Sequence, residues 1–453
     1  MLFMTRSCRH LPFSFRAARN IVNTRHSQPS KLRLIHDAAS NSTPVEKIIR
    51  DNIKVTGPLP FATYMQLCLS HPTHGYYMNT ANEVFGSKGD FITSPEISQV
   101  FGELVGVWLL SQYASLGNEK IPFRLVELGP GRGTLMDDIL RVIARLQHTK
   151  QEINVHLVET SPAMRALQDA KLTCDSRPNV LLHWHNSISE IPTTSEYTML
   201  VAHEFFDALP IHVIQKMETG WHEVLISSDT QGPTQSIGVN DAPTSQPPSQ
   251  SAQTAFSPLR RGLARQPSAA STLLGHSSPR FQNLPVGSTL EVSPTAFRIA
   301  RKVGELLEAG RQLDGDKLST GGCGLIIDYG GGHASSNSFR AFKDHKIVDA
   351  FHEPGNCDLT ANVDFAYLTE AMNDLVATYG PITQGSFLER MGLQLRLQGL
   401  LKAAKTDDQR ERIKEAATRL VDPSRMGKEY QVLGITNKPS QESIWPFVSD
   451  VKL

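Results

Sequence analysis

A glycine-rich turn between an apolar run and an amphipathic segment constrains the fold of this chain more than any other stretch. The apolar run at 125–128 predicts a buried strand, and apolar side chains recur at helical spacing over 135–146. The turn between them contains Gly129, Gly131 and Gly133. Glycine permits a tight turn and, because it lacks a side chain, lets the backbone approach a ligand closely. The order of strand, glycine turn and helix predicts an α/β protein with a nucleotide-type cradle.

The spacing of the glycines narrows the choice of ligand. A dinucleotide-binding turn has a third glycine at the sixth position of the motif, where this chain has Thr134. A phosphate-binding P-loop ends in Gly-Lys-Ser or Gly-Lys-Thr, and this turn does not. The remaining pattern, acidic-x-Gly-x-Gly-x-Gly from Glu127 to Gly133, resembles the first motif of class I S-adenosylmethionine (SAM) methyltransferases. The glycine triplet taken alone is also compatible with a turn in some other α/β protein that does not bind SAM.

The resemblance to class I SAM-dependent methyltransferases implies a Rossmann-like α/β fold. It further implies a mostly parallel, seven-stranded sheet with an N-terminal helical cap and insertions. In that family the glycine turn lies against the amino-acid end of SAM, and an acidic residue at the end of the second strand binds the ribose. Glu159 ends the apolar run at 154–159, and Asn186 or Ser187, which follow a third run, would lie near the adenine if the class I pattern holds. The predicted cofactor-binding residues are Glu127, Gly129, Gly131, Gly133, Glu159, Asn186 and Asp90.

Charge and cysteine content argue against several other classes of protein. The chain carries 45 basic and 45 acidic side chains, so its net charge gives no reason to expect nucleic-acid or membrane binding. Its five cysteines are scattered and include no Cys-x-x-Cys pair, so we predict neither a metal site nor a disulfide framework. No run approaches the roughly 18 apolar residues of a membrane span. We therefore expect no nucleic-acid partner and no integral membrane segment.

The first 36 residues have the composition of a mitochondrial targeting segment. They contain seven arginine or lysine residues and several serines, and no acidic residue precedes Asp37. We interpret 1–36 as a transit peptide and expect the mature protein in the mitochondrial matrix. An unstructured basic tail is the alternative.

Residues 37–123 are expected to form an N-terminal helical cap with an active-site loop. The loop at 89–98 is rich in side chains able to bind a ligand, among them Asp90 and Glu96. The same loop has the pattern of a helix start, with Ser94 as the N-cap followed by proline. The two interpretations are compatible, because capping can fix the loop while Asp90 or Glu96 faces a pocket.

Six motifs, one of them the glycine turn itself, lie between Gly57 and Pro210. They are Gly57-Pro-x-x-Phe61-Ala-x-Tyr-Met65, His71-Pro-x-x-Gly-Tyr-Tyr77, Gly89-Asp-Phe-Ile-Thr-Ser-Pro-Glu96, Phe101-Gly-Glu103, Glu127-Leu-Gly-Pro-Gly-Arg-Gly-Thr134 and Glu204-Phe-Phe-Asp-Ala-Leu-Pro210. Together they resemble the MidA-like family, over about 45–227 and about 288–437. Members of that family are mitochondrial SAM-dependent protein arginine methyltransferases that assist the assembly of respiratory complex I.

The MidA-like resemblance implies a function and a partner. The implied reaction is methyl transfer from SAM to a protein arginine, with symmetric dimethylation of a core, quinone-site subunit of complex I during its assembly. A non-catalytic assembly chaperone that keeps the methyltransferase fold is the alternative, although a pure binding module would not need the glycine cradle. A nicotinamide oxidoreductase is a third hypothesis, which Thr134 at the sixth position disfavours.

Acidic residues follow the predicted fourth strand at 197–202. Ligands of doubly wound sheets bind outside the carboxyl ends of the strands, so Glu204 and Asp207 lie where chemistry is expected. A guanidinium presents its donors in a planar fork that a carboxylate accepts in bidentate fashion. We predict Glu204 as the main catalytic clamp, Asp207 as the second acid and Glu96 as their partner. The alternatives are a turn-capping Asp207 and a solvated Glu204; His203 stands where the family usually has asparagine.

The two core segments, 124–227 and 288–437, are expected to flank an insertion. Residues 228–287 are rich in Ser, Pro and Gln, and their low apolar content predicts disorder. The arginine-rich stretch at 260–265 within them is interpreted either as a docking patch or as a solvated loop. A short C-terminal tail is expected at 438–453.

The second core segment is predicted to complete the sheet. A fifth strand ends at Asp328 and Tyr329, residues 366–420 have a helical pattern, and a terminal strand from 426 to 435 closes the sheet. Asp358 and Asp364 are interpreted either as lining a channel for the substrate arginine or as caps of short elements.

Overall fold

A computed structural model describes residues 42–79, 92–118, 120–146, 151–173, 177, 179–228, 259–313, 317–437 and 444–448. The helices are α1 Pro44–Thr56, α2 Phe61–Ser70, α3 Ser94–Ile97, α4 Gln99–Ala114, α5 Thr134–Leu146, α6 Pro162–Leu172, α7 Ala269–Gly275, α8 Pro279–Gln282, α9 Pro294–Leu307, α10 Phe365–Met372, α11 Gln384–Arg390, α12 Leu393–Ala403, α13 Asp407–Val421 and α14 Met426–Glu429. The strands are β1 Leu59–Pro60, β2 Phe123–Leu128, β3 Ile153–Val158, β4 Val180–His185, β5 Tyr197–His203, β6 His212–Met217, β7 Gly220–Ser228, β8 Leu259–Leu263, β9 Thr289–Val292, β10 Gly322–Gly331, β11 Arg340–Lys343, β12 Lys346–Val348, β13 Asp358–Thr360, β14 Val363–Asp364, β15 Ala377–Thr383 and β16 Tyr430–Thr436. Residues 1–36, Asp90 and most of the tail 438–453 lie outside the described ranges.

Within the described ranges the main sheet has seven strands in the order β15-β16-β10-β5-β2-β3-β4, and an eighth, β14, pairs in parallel with the carboxyl end of β10. Neighbouring strands from β10 to β4 are parallel, whereas β16 runs antiparallel to both β10 and β15. The predicted seven-stranded, mostly parallel sheet is thereby confirmed. Strands β2 and β5 are buried along their whole length because helices cover both faces of the sheet.

Alternation along the strands divides the core between two helical layers. In β2, Leu125 packs with α4 and α5 on one face, whereas Val126 and Leu128 pack with α9 and α10 on the other. Helices α4 and α5 approach closely at Gly102, where an added Cβ would lie 2.5 Å from the Cβ of Asp138. This packing fixes the direction of α5 and therefore the position of the glycine turn at its start.

A second sheet stands beside the first, and the three-stranded sheet packed against it lines part of the site described below. The second sheet has the order β1-β7-β6-β9, with β8 added to β7, and it packs on α1, α2 and the three-stranded sheet β12-β11-β13. Strands β6 and β7 of this sheet form a hairpin, with Met217 paired to Gly220 at the turn.

The predicted disordered insertion is wrong for residues 259–287. They form β8, α7 and α8, while residues 229–258 lie outside the described ranges. The few apolar residues of this segment are enough to order it because they pack into the core. Leu274 and Phe281 are buried, and Gly275 is in close contact with the Trp221 ring. A capping box at Ser268 starts α7. The arginine-rich stretch at 260–265 is largely strand β8 rather than a solvated loop.

The region after β10 differs from the sequence prediction in two ways. Residues 377–383, within the predicted helical stretch, form strand β15, which pairs with β16 across a bulge. The last strand does not close an edge but lies between β10 and β15, which explains why Val432, Leu433 and Ile435 are all fully buried. Among the described residues, no helix has the length and apolar character needed to cross a bilayer.

Candidate active site

The glycine turn connects β2 to α5 and exposes bare backbone to a cleft. Gly129, Gly131 and Gly133 all have positive φ angles, of 66°, 50° and 77°, a conformation that side chains other than glycine rarely adopt. A Cβ on Gly129 would lie 2.8 Å from Cδ2 of Phe205, so this turn also touches the segment after β5. Only glycine at 129 keeps the cradle open.

Glu127 lies beneath this turn on β2, with only 2% of its surface exposed. Burial raises the pKa of its carboxyl group to about 8. Its Oε2 atom has no hydrogen-bond partner among the described residues. A buried carboxyl group with an unused acceptor is suited to a cationic donor, such as the amino group of SAM.

Glu159 follows β3 and lines the same cleft as Gly129 and Gly131. Its Oε1 accepts a hydrogen bond from the Ser161 backbone N–H at 2.7 Å, and its Oε2 accepts one from Gln168 Nε2 at 3.3 Å. Gln168 Nε2 also lies 2.8 Å from the Gly131 carbonyl oxygen, to which it donates. Gln168, which sequence reasoning missed, therefore ties the predicted ribose-binding acid to the glycine turn.

Asn186 follows β4 and lines this cleft as well. Its Oδ1 accepts a hydrogen bond from Arg165 Nη2 at 2.8 Å. Arg165 Nε in turn donates to the Glu159 backbone carbonyl oxygen at 2.8 Å. The ends of β3 and β4 are held together by this arginine.

The cleft has a volume of about 350 Å³ and is acidic at its far end. Glu204 and Asp207 line it together with Asp358, which the sequence left open as either a channel residue or a cap. Asp358 accepts a hydrogen bond from the Tyr77 hydroxyl at 2.8 Å. Three carboxyl groups from two separate segments thus converge on one space, whereas Asp364 instead caps α10 and pairs with Arg280.

Glu204 occupies a strained position immediately after β5. Its φ angle is +48°, which is uncommon for a residue other than glycine. Burial raises the pKa of its carboxyl group to about 8; the Tyr430 hydrogen bond opposes this rise, and the charges of Asp207, Asp358 and Glu96 add to it. For Asp207, burial raises the pKa to about 6, against the favourable charge of Arg340. In the ligand-free protein Glu204 is thus a poorly solvated acid that a cation would help to ionise.

Asp328 holds the Glu204 turn in place from the end of β10. Its Oδ2 accepts hydrogen bonds from the backbone N–H groups of Phe205, Phe206 and Asp207 at 3.2, 2.9 and 3.3 Å. Its Oδ1 accepts one from the Tyr329 N–H at 2.9 Å. This fully buried side chain therefore holds Asp207 through its backbone N–H and fixes the turn that follows Glu204.

The hydroxyl groups of two tyrosines form a hydrogen-bonded chain that starts at the Glu204 carboxyl group. The Tyr430 hydroxyl lies 2.6 Å from Glu204 Oε1 and 2.6 Å from the Tyr329 hydroxyl. Tyr329 and Tyr430 are directly opposite each other in the β10–β16 pair, and their ring centroids are 4.1 Å apart. Sequence reasoning missed Tyr430, because only the register of these two strands brings it to Glu204.

Glu96 lies in a smaller cavity between the glycine turn and Glu204. Its Oε1 is 3.9 Å from Nη1 of Arg132. His203 lines this cavity too; burial lowers the pKa of its ring to about 3, so the imidazole is neutral. Its Nε2 has no hydrogen-bond partner among the described residues and lies 3.7 Å from Glu204 Oε1. Of the predicted site residues, Asp90 lies outside the described ranges.

Comparisons with known proteins agree with this arrangement. Residues 104–382 match the model of a family described as "Putative S-adenosyl-L-methionine-dependent methyltransferase". A crystal structure of a Burkholderia thailandensis protein bound to S-adenosyl-homocysteine superposes with a TM-score of 0.65 at 21% identity, covering 86% of this chain and 91% of that one. The fold and the cradle define a class I SAM-dependent methyltransferase, and SAM is its cofactor.

Curated relatives narrow the family further. The chain is 39% identical over 419 residues to the mitochondrial protein arginine methyltransferase NDUFAF7 homolog of Drosophila melanogaster, covering 88% of this chain and 86% of the relative. It is 34% identical over 442 residues to mitochondrial protein arginine methyltransferase NDUFAF7 of Danio rerio, covering 92% and 93%. The human protein of that name is 35% identical over 412 residues, covering 87% and 83%. The chain belongs to this NDUFAF7 family.

Proposed function

We propose that this protein transfers methyl groups from SAM to an arginine of a protein, with symmetric dimethylation as the end product. The observation that carries the proposal is one cleft that contains the glycine turn and Glu159 at one end and three acidic side chains at the other. The names of the relatives as protein arginine methyltransferases support the same reaction.

The cofactor end of the cleft is assigned to SAM residue by residue. We assign the amino-acid end of SAM to Glu127 and to the turn formed by Gly129, Gly131 and Gly133, because the unused Glu127 oxygen suits an ammonium group. Glu159 is assigned to the ribose and Asn186 to the adenine side. Asp90 remains a prediction from sequence. When bound, SAM supplies the electrophilic methyl group.

The acidic end is suited to hold a guanidinium in line with that methyl group. An arginine is nearly always protonated, so it enters as a cation with donors in a planar fork. Glu204 and Asp207 accept these donors and orient the attacking nitrogen, and Glu96 adds negative charge from the neighbouring cavity. Insertion of the cation favours ionisation of Glu204, because an opposite charge offsets the cost of burial. The enzyme thereby contributes orientation and electrostatic stabilisation.

The client and the compartment are inferred from the family. The names of the relatives place them in mitochondria, and the acid-free, arginine-rich start of the chain supports import into the matrix. The proposed client is a core, quinone-site subunit of complex I, methylated before or during assembly. Methylation would thus support the assembly of the complex.

The test replaces the chromosomal copy with Glu204→Gln and analyses the core quinone-site subunit of complex I by peptide mass spectrometry. We expect dimethylarginine in cells with the unaltered chain and only unmodified arginine in cells with the variant. Unchanged dimethylarginine in the variant would contradict the role of Glu204. Normal complex I assembly without methylation would instead favour the non-catalytic chaperone.

A further inference from the structure

Each methyl transfer to arginine leaves a proton that the site must release. A guanidinium that gains a methyl group keeps a single positive charge, so its attacking nitrogen gives up one proton. Glu204 is the nearest assigned acceptor, but before any ligand binds its side chain is only 16% exposed. The exposed part lines the cleft in which the arginine is proposed to bind. A guanidinium bound against Glu204 therefore covers the direct route from this carboxyl group to water.

The two tyrosines provide a second route that starts at the same carboxyl group. Tyr430 is 1% exposed, and its oxygen lies 2.6 Å from both Glu204 Oε1 and the Tyr329 hydroxyl. Tyr430 has a single hydroxyl proton, so it can donate to only one of these neighbours and must accept from the other. The hydrogen-bonded groups of Glu204, Tyr430 and Tyr329 therefore have two possible arrangements of their protons. In one arrangement the hydroxyl groups donate toward Glu204, and in the other they donate away from it.

Tyr329 takes this hydrogen-bonded chain to a second position on the cleft wall. It is half-buried, lines the cleft, and has the Arg340 guanidinium 5.4 Å from its ring centroid. Burial raises the pKa of both tyrosines, so neither hydroxyl ionises at neutral pH. Protons can pass along the chain only by a coupled exchange between neutral hydroxyl groups.

We propose that Tyr430 and Tyr329 relay the proton released by arginine methylation from Glu204 to water at the cleft wall; this inference rests on the proposed function. The proton first forms an O–H bond on the Glu204 carboxylate, and the carboxyl group turns that O–H toward Tyr430. The Tyr430 oxygen takes this proton as its own passes to Tyr329, and the Tyr329 proton passes to water. Each tyrosine gains one proton as it loses one, and Glu204 returns to a carboxylate.

Tyr329→Phe in the full-length protein is the decisive variant, because the Tyr329 hydroxyl belongs to the relay but bonds to Tyr430 rather than to Glu204. Tyr430→Phe breaks the relay too, but it also removes the donor that positions Glu204. We expect both variants to lower the single-turnover rate of arginine methylation by about tenfold or more. S-adenosyl-homocysteine affinity should stay unchanged. Tyr367→Phe, which loses a hydrogen bond to Ser277 at a distance from the cleft, is the matched control.

A relay also predicts effects that a packing role would not produce. The solvent deuterium isotope effect on the single turnover should increase in Tyr329→Phe, and a small added base such as imidazole should restore part of the lost rate. A wild-type rate and an unchanged isotope effect in Tyr329→Phe would overturn the relay.

A measurement without turnover separates failure of the relay from failure of the proposed function. The infrared carboxyl band of Glu204, identified by its loss in Glu204→Gln, can be titrated in the ligand-free protein. A connected chain predicts a higher titration midpoint in Tyr430→Phe and a smaller rise in Tyr329→Phe, since Tyr430 donates best when it also accepts. If the wild type methylates no arginine, the proposed function fails; if Tyr329→Phe leaves the midpoint unchanged, the relay fails.

Discussion

Glu204 shows how a residue can be arranged for function at the expense of stability. Its positive φ angle and its burial are both unfavourable in the ligand-free protein. Asp328 fixes the turn by accepting hydrogen bonds from the backbone N–H groups of the three residues that follow Glu204. If Glu204 binds the substrate cation as proposed, this rigid turn pre-orients its carboxyl group for that role.

The pH dependence of protein stability should reveal the raised pKa of Glu204. The pKa of Glu204 rises from its usual 4.5 to about 8 on folding, so its contribution to stability is greatest below pH 4.5 and declines as the pH rises to about 8. Glu204→Gln lacks this decline. Its Tm relative to that of the wild type should therefore increase between pH 5 and about 8. Scanning calorimetry of the two ligand-free proteins at several pH values measures this difference in Tm.

The control for this prediction is Glu218→Gln at an exposed position in the β6–β7 turn. Its Tm difference should be small and independent of pH. A Tm difference for Glu204→Gln that is flat, or that falls with pH, would contradict the raised pKa.

At the scale of elements, the glycine turn and the segment after β5 act as one unit. Gly129→Ala should abolish S-adenosyl-homocysteine binding, because the added Cβ would lie 2.8 Å from Phe205 and within the cradle. Gly117→Ala is a matched control, since its φ of +68° is close to the +66° of Gly129 but no atom of the described residues lies within 4 Å of the added Cβ. Both changes should cost about 1–2 kcal/mol in backbone strain. Isothermal titration should show binding lost only in Gly129→Ala; equal binding by both variants would exclude the turn as the cradle.

Helix α7 should stabilise the second sheet despite the polar composition of its sequence. Ser271 takes part in the capping box and donates to the buried Trp221 carbonyl oxygen at 2.6 Å. Ser271→Ala should lower the free energy of unfolding by about 1–3 kcal/mol, because it leaves that carbonyl unsatisfied. Thr272→Ala, which removes an exposed hydroxyl bonded to Ser268, should change it much less. Urea denaturation compares the two, and equal losses would argue against a docked α7.

For the whole molecule, sequence patterns predicted what is local and missed what the fold brings together. The glycine turn, Glu159 and Glu204 belong to short motifs next to apolar runs, so their placement at strand ends follows from sequence. Tyr430 lies 226 positions from Glu204, and only the pairing of β10 with β16 makes them neighbours. The same holds for Asp358, which reaches the cleft through the three-stranded sheet.

The most direct test of the central claim is amino-acid analysis after incubating the purified protein with methyl-labelled SAM and mitochondrial protein from cells that lack this chain. We expect label in symmetric dimethylarginine with the wild type, and no such label with Glu204→Gln or Gly129→Ala. Label in another amino acid, or none from a wild-type protein that binds S-adenosyl-homocysteine, would contradict arginine methylation.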